Sequence, residues 1–386
     1  MKIRLLLALV GLAISLALPM GASSASAAEL GVSKEEFGKI PDGTPVEKYT
    51  LSNIHGMEVG IITYGGGVQS IKVPDKDGKL GDVVLGFDKL APYLRESDPY
   101  FSGLIGRYAN RIANGQFVLD GKTYQIPANF GTSAFHGGPK GFSKHVWAAA
   151  PLRDSQWVGV ELTYFSADGE MGYPGNMAVT VRYTLNNSNE LRIDYSAVTD
   201  KDTVLNLTST ARFNLAGAGH GTVLDQLAMI NADKFTPAVG FVPTGELQDV
   251  KGTPFDFTEP MAIGARIHAE QLKNTGGYDH NWVSSNPGEL GTLASLFACS
   301  IQSREELWKC TLPNQGLSFT PASLWTDRPK ERMAYPMSAG AHLQSRRSIT
   351  RIRRITPTSL ALSSSQVKNI PKQPSINFYP CNHPTR

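Results

Sequence analysis

An all-β chain of antiparallel hairpins is the fold the sequence predicts, and three observations predict it. Turn-forming strings such as "DKDGKLGD", "NNSNEL" and "SNPGEL" separate short apolar runs. The stretch "GMEVGIITYGGGVQSIKVPDKDG" alternates and then breaks at glycines, as strands joined by tight turns do. The composition is rich in glycine, 38 of 386 residues, and in Thr, Val and aromatic side chains, with no coiled-coil heptads and no internal repeat.

The N-terminal element stands apart from that fold. Lys2 and Arg4 precede an apolar run from Leu5 to Leu18, and "ASSASAAE" offers an Ala-x-Ala cleavage site at Ala25–Ala27. This is the form of a secretory signal peptide, too short and wrongly flanked for a transmembrane span. Residues 1–28 are expected to be removed, leaving a secreted or periplasmic protein without membrane contact. Residues 29–386 are expected to form a single β-sandwich domain.

The net charge of +3 is ordinary for the whole chain but unevenly spread. No Asp or Glu follows Glu331, whereas Arg346, Arg347, Arg351, Arg353 and Arg354 cluster. At face value this is a basic arm for nucleic acid or another anionic surface. Cys299, Cys310 and Cys381 also lie in this last quarter, an odd count for an exported protein and at spacings that suit no metal site.

Between these ends the strand-like segments carry specific motifs. They are "ITYGGGVQSIKVPDKDGKLGDVVLGFD", "GRYANRIANGQFVLDGKTYQIPAN", "FHGGPKGFSKHVW", "GYPGNMAVTVRYTL", "FTPAVGFVPTGELQDVKGTPFDF" and "GGYDHNWV". In this order, from about Val46 to Val283, the chain resembles the aldose 1-epimerases (galactose mutarotases). The resemblance implies a large antiparallel β-supersandwich with a sugar cleft on one sheet face. It also implies interconversion of the α and β anomers of a free hexose such as galactose or glucose, by a monomer or dimer. No cofactor is implied, because opening and reclosing a hemiacetal moves only protons. One group protonates the ring oxygen while another takes the proton of the C1 hydroxyl.

The side chains fit that chemistry to different degrees. Asn110 and Arg111 in "ANRI" set an amide beside a fork of donors, which suits adjacent pyranose hydroxyls. On chemistry alone, an Arg paired with a carboxylate is the competing reading. His136 in "FHGG" and Asp279 in "YDHNW" are ordinary structural residues by themselves, and the resemblance makes both sugar ligands. His280, next to Asp279, is not read as a metal ligand, since neighbouring side chains on a strand point oppositely.

Two positions depart from the family pattern. Its general-acid His lies in a motif of the form N-L-T-N-H-x-Y-F-N-L-A-G, and "NLTSTARFNLAG" places Thr210 there. A hydroxyl hydrogen-bonds but does not release a proton near neutral pH. The general-base Glu belongs to G-x-x-L-E-S, and "AGAHLQS" places Gln344 there, a neutral amide that accepts no proton.

The last quarter reads as codons displaced by one base. Synonymous codons for Arg304 to Arg328, shifted in frame, permit G-R-V-M-E-M-Y-T-T-E-P-G followed by F-Y-T-G, the strand and loop the family has there. The same shift from Ser345 permits Q-T-F-H-Y-P-D-S-P-N-H-P, the family's C-terminal signature. Residues 294–330 and 346–386 are accordingly read as out-of-frame sequence, with unpaired sheet edges as the expected consequence. The Arg-rich arm becomes a by-product of that shift, and no nucleic-acid partner is expected. A shorter slip near Ser209 to Arg212 would account for Thr210. The rival reading is a non-catalytic carbohydrate-binding protein that keeps the cleft without the chemistry.

Overall fold

A computed structural model describes residues 29–75, 77–95, 100–239 and 241–284. Beyond these it describes the backbone of Leu293–Ile301, Glu306–Pro313, Gly316–Phe319, Ala341–His342 and Ser375–Pro380. Residues 1–28, Gln344, Cys381 and the arginines from 346 to 354 lie outside the described residues.

Period-two alternation builds the core. In Met177–Asn186, Met177, Val179, Val181, Tyr183 and Leu185 are buried, and in Glu190–Thr199 so are Leu191, Ile193, Tyr195 and Ala197. The antiparallel register sets Val179 opposite Ala197, Val181 opposite Tyr195 and Tyr183 opposite Ile193, so the apolar residues of both strands share one face. A slip of one residue would turn that whole face to water, which is why the register is strongly specified.

These strands belong to a nine-stranded antiparallel sheet. Its order is Ala148–Arg153, Trp157–Ser166, Met177–Asn186, Glu190–Thr199, Ser375–Pro380, Glu306–Pro313, Leu293–Ile301, Leu227–Ile230 and Met261–Ala262. A five-stranded meander, Gly31–Lys39 through Leu80–Asp82, contributes Tyr49, Leu51, Val59, Ile61 and Ile71 to the same core. A further five-stranded sheet contains Ala232–Thr236 and His280–Ser284 and adds Phe235 and Trp282. The all-β expectation holds. The helices among the described residues are short 3-10 turns, and none is long and apolar enough to cross a membrane.

One expectation is corrected. Leu293–Ile301 pairs with both Leu227–Ile230 and Glu306–Pro313, and Ser375–Pro380 joins Glu306–Pro313 to Glu190–Thr199. Instead of unpaired edges, the segments read as displaced complete the sheet's backbone. Ladder hydrogen bonds come from the main chain, and a strand interior without proline supplies them whatever its side chains. Backbone pairing therefore does not discriminate between codon frames.

Candidate functional site

The sequence from Tyr100 to Asn114 is irregular because it is threaded between other segments rather than laid in a sheet. Tyr100, Ser102, Asn110 and Asn114 all have left-handed backbones, with φ of 55°, 59°, 66° and 54°, and His136 across from them has φ of 52°. Asn tolerates this region, whereas Tyr, Ser and His do so at a cost of about 1–3 kcal/mol each. Such a concentration of held conformations marks a place where position outweighs local preference.

Short ribbons hold the segment. Arg111–Ile112 pairs with Ala134–Phe135, which sets Arg111 opposite Phe135. The two neighbours Asn110 and His136 then exchange hydrogen bonds. The His136 N–H donates to the Asn110 carbonyl at 2.9 Å, and the Asn110 N–H donates to His136 Nδ1 at 3.2 Å. A ring nitrogen that accepts carries no proton, so the neutral imidazole keeps its proton on Nε2 as a donor. The glycine after His136 is obligatory: Gly137 has φ of 89°, and a Cβ there would lie 1.9 Å from the Gly106 carbonyl oxygen. This close backbone approach is what "FHGG" provides.

Arg111 is buried and pairs with a carboxylate, the competing reading of its role. One guanidinium nitrogen donates to Asn110 Oδ1 at 3.2 Å and the other to Asp279 Oδ2 at 3.3 Å. Its planar group also lies over the rings of Phe135, Phe130 and Phe241, at 4.6, 4.7 and 5.3 Å from their centroids. Burial pulls the Arg111 pKa below its ordinary value and the Asp279 carboxylate opposes that, so the group stays a cation. Arg111 Nε is buried with no hydrogen-bond partner.

Asp279 and His280 point apart, as expected for neighbours at a strand start. Asp279 faces Arg111, whereas His280 is buried against Phe255 and Phe235 and accepts the Asp279 N–H on Nδ1 at 3.2 Å. Among the described residues no three of His, Cys, Asp and Glu converge to hold a metal ion. Burial presses the His280 pKa down to about 4 from 6.5. The unfolded chain therefore takes up a proton near pH 6.5 that the fold refuses until about pH 4. The stability that His280 contributes is full above pH 6.5 and falls by about 3 kcal/mol on going to pH 4. In urea titrations at pH 7 and pH 4, His280→Gln should lose that much less on acidification, and an unchanged acid loss would refute the assignment.

Thr210 directly follows Thr208–Ser209, which pairs with Leu104–Ile105. Its hydroxyl donates to the carbonyls of Tyr100, at 2.5 Å, and Gly103, at 3.1 Å. The single hydroxyl proton is thus shared between two main-chain acceptors inside the protein, and the residue is buried. Asn110, Arg111, His136 and Asp279 are brought together directly or through one another; Gln344, outside the described residues, is not placed.

Two features escape sequence reasoning. The aromatic cage of Phe130, Phe135 and Phe241 around Arg111 joins segments that no local pattern links. Arg107, the first arginine of "GRYANR", is 1% exposed. Its guanidinium donates to Ser166 Oγ and to the carbonyls of Ser166, Ala167, Pro174 and Gly175 at 2.7–3.0 Å. Its main chain carries the site: the Asn206 N–H donates to the Arg107 carbonyl at 2.8 Å, and the Ala109 N–H to the Asn206 carbonyl at 2.9 Å. An arginine in a glycine-bounded motif with no acidic neighbour in sequence is the one signal that could have found it.

Together, these features define a β-sandwich protein with an Arg, Asn, His and Asp constellation suited to sugar hydroxyls and backed by aromatic rings. The chain belongs to the aldose 1-epimerase family, whose model matches residues 47–317. The match runs past Val283, where the resemblance had been expected to end, and reaches the strand Gly316–Phe319. A galactose mutarotase of Bos taurus is 42% identical over 255 residues, 66% of this chain and 72% of that one. An aldose 1-epimerase of Escherichia coli is 35% identical over 251 residues, 64% and 71% of the respective chains. A solved galactose 1-epimerase from Lactobacillus acidophilus superposes with a TM-score of 0.72 at 24% identity, over 91% of this chain and 98% of that one, a likeness of fold.

Proposed function

We propose that the protein binds a free hexose such as galactose at Asn110, Arg111, His136 and Asp279 and interconverts its anomers. The observation that carries this reading is the Arg111–Asp279 pair with Asn110 and His136 beside it. The pair presents donors and an acceptor together, as vicinal hydroxyls require. The names of the relatives support the reaction over binding alone.

As written, the chain performs that reaction slowly. Positions 210 and 344 hold Thr and Gln where the acid and base belong, and the loss of either group costs about two to four orders of magnitude. The displaced codons of 294–330 and 346–386, the signal peptide of residues 1–28 and an exported destination belong to the same proposal. Sequencing the gene across these regions tests the codon shift, and clean reads that keep each frame would refute it as a reading error.

The binding half is tested by calorimetry with D-galactose. Arg111→Ala is expected to weaken binding by about 100-fold, since it removes the donor fork and the cation that faces Asp279. Equal affinity of Arg111→Ala and the unsubstituted protein would remove the constellation from the sugar site.

A further inference from the structure

Thr210 stands where a proton donor is missing, yet its surroundings give it other work. Four hydrogen bonds tie it to one segment. Its hydroxyl donates to the Tyr100 and Gly103 carbonyls, its N–H donates to the Gly103 carbonyl at 3.1 Å, and its own carbonyl accepts the Ser102 N–H at 3.2 Å. The segment so tied includes the left-handed Tyr100 and Ser102, conformations that persist only where neighbouring contacts enforce them.

Holding Tyr100 in this way places its ring. The phenyl edge meets His136 with centroids 5.1 Å apart and meets Phe135 at 5.6 Å, and Asn129 Nδ2 donates to the Tyr100 hydroxyl at 3.4 Å. Asn129 in turn holds the main chain of Phe135, accepting its N–H at 2.7 Å and donating to its carbonyl at 3.0 Å. Phe135 packs on the imidazole as well, with ring centroids 3.7 Å apart, so that the three rings touch one another. The His136 ring is therefore held from two adjacent directions by Phe135 and Tyr100, which form a corner clamp, while the Asn110 N–H occupies Nδ1.

We propose that Thr210 and Tyr100 are positioning residues: the Thr210 hydroxyl sets the Tyr100 backbone, and the Tyr100 ring holds the imidazole of His136 in its sugar-binding orientation. This rests on the reading of His136 as a sugar ligand. It gives position 210 a purpose in this chain distinct from proton transfer. Removing the hydroxyl takes this hydrogen bond from the Tyr100 carbonyl, lets that backbone leave the left-handed region and opens one side of the clamp.

The test uses Thr210→Val, which deletes the hydroxyl at nearly constant volume, with Thr210→Ser as the conservative partner and Tyr100→Ala and Tyr100→Phe as a second pair. Two quantities are read: D-galactose affinity by calorimetry, and the His136 imidazole resonances of the sugar-free protein in histidine-labelled NMR spectra. Thr210→Val and Tyr100→Ala are expected to move the His136 resonances and to weaken galactose by about three- to tenfold. Thr210→Ser and Tyr100→Phe should keep both at the unsubstituted values. A Thr210→Val protein that is merely less stable, with His136 resonances and galactose affinity unmoved, overturns the proposal. If the unsubstituted protein binds no galactose, the sugar-site reading falls, and the resonance shift in the free protein still decides whether the clamp exists.

Discussion

The double substitution Thr210→His with Gln344→Glu is expected to raise the rate of galactose mutarotation by about 10²–10⁴-fold over the unsubstituted chain. The physical ground is the state of the two present side chains. The Thr210 proton is committed to the Tyr100 and Gly103 carbonyls, and an alcohol would not release it to a ring oxygen near pH 7 in any case. Gln344 has no basic atom. On the proposed assignment of positions 210 and 344 neither half of the proton exchange is available, so each single substitution should recover only a small part of the gain.

The same change removes the Thr210 hydroxyl from Tyr100, and loosening the His136 clamp in this way costs no more than about tenfold. Proton transfer outweighs it by at least an order of magnitude, so the double variant should gain overall. Polarimetry with freshly dissolved α-D-galactose reads the rate. The restored pair should also give a bell-shaped dependence on pH, because one group must be protonated while the other is not. A double variant that binds galactose and shows no rate gain would refute the assignment of positions 210 and 344.

Arg107→Met is expected to cost about 3–5 kcal/mol of stability, at least as much as acidification takes from the fold through His280. Methionine matches the length of the stem and keeps its packing, so what is lost is the guanidinium. Its departure takes a donor from four main-chain carbonyls and from Ser166 Oγ at once, although the Ala167 carbonyl keeps the Glu170 N–H. It also removes the cation opposite Glu170, whose carboxylate already accepts from Ser166 Oγ and, at 2.5 Å, from the Tyr164 hydroxyl. Desolvation lowers the Arg107 pKa, and Glu170 leads the charges and phenols that oppose it. Because breaking a buried ionic network leaves its remaining members uncompensated, the loss exceeds the net worth of the bonds themselves. Urea denaturation at pH 7 measures it. Arg107→Lys should recover only part, since an ammonium offers three donors in place of a five-donor fork. A loss below about 1 kcal/mol for Arg107→Met would show that water replaces the guanidinium cheaply.

Legibility tracked the range of the interaction that fixes each feature. The alternation of Met177–Asn186 and Glu190–Thr199 is local, and it announces a half-buried strand pair without reference to the rest of the chain. Asn110, Arg111, His136 and Asp279 are polar residues in turns, and only the order of the motifs singled them out. Arg111 and Asp279 stand 168 positions apart, so no spacing rule could have paired them. The cage of Phe130, Phe135 and Phe241 and the carbonyl nest around Arg107 left still weaker traces, because apolar rings and lone arginines occur throughout such sequences. At Leu293–Ile301 and Glu306–Pro313 the failure ran the other way. The displaced codons led to an expectation of unpaired edges, and main-chain hydrogen bonding paired these segments instead.

By itself the sequence determined the β class and the family, since each is written in local alternation or in ordered motifs, and it carries the proposal that Thr210 and Gln344 stand where the family has its acid and base. Only the tertiary structure decided that Arg111 answers to Asp279 and that Arg107 anchors the main chain beneath the site. It also decided that the Thr210 hydroxyl is spent on the Tyr100 and Gly103 carbonyls. The reason is physical. A hydrogen bond is fixed by distance and direction to within a few tenths of an ångström, and the segments that supply its two ends meet only once the chain has folded.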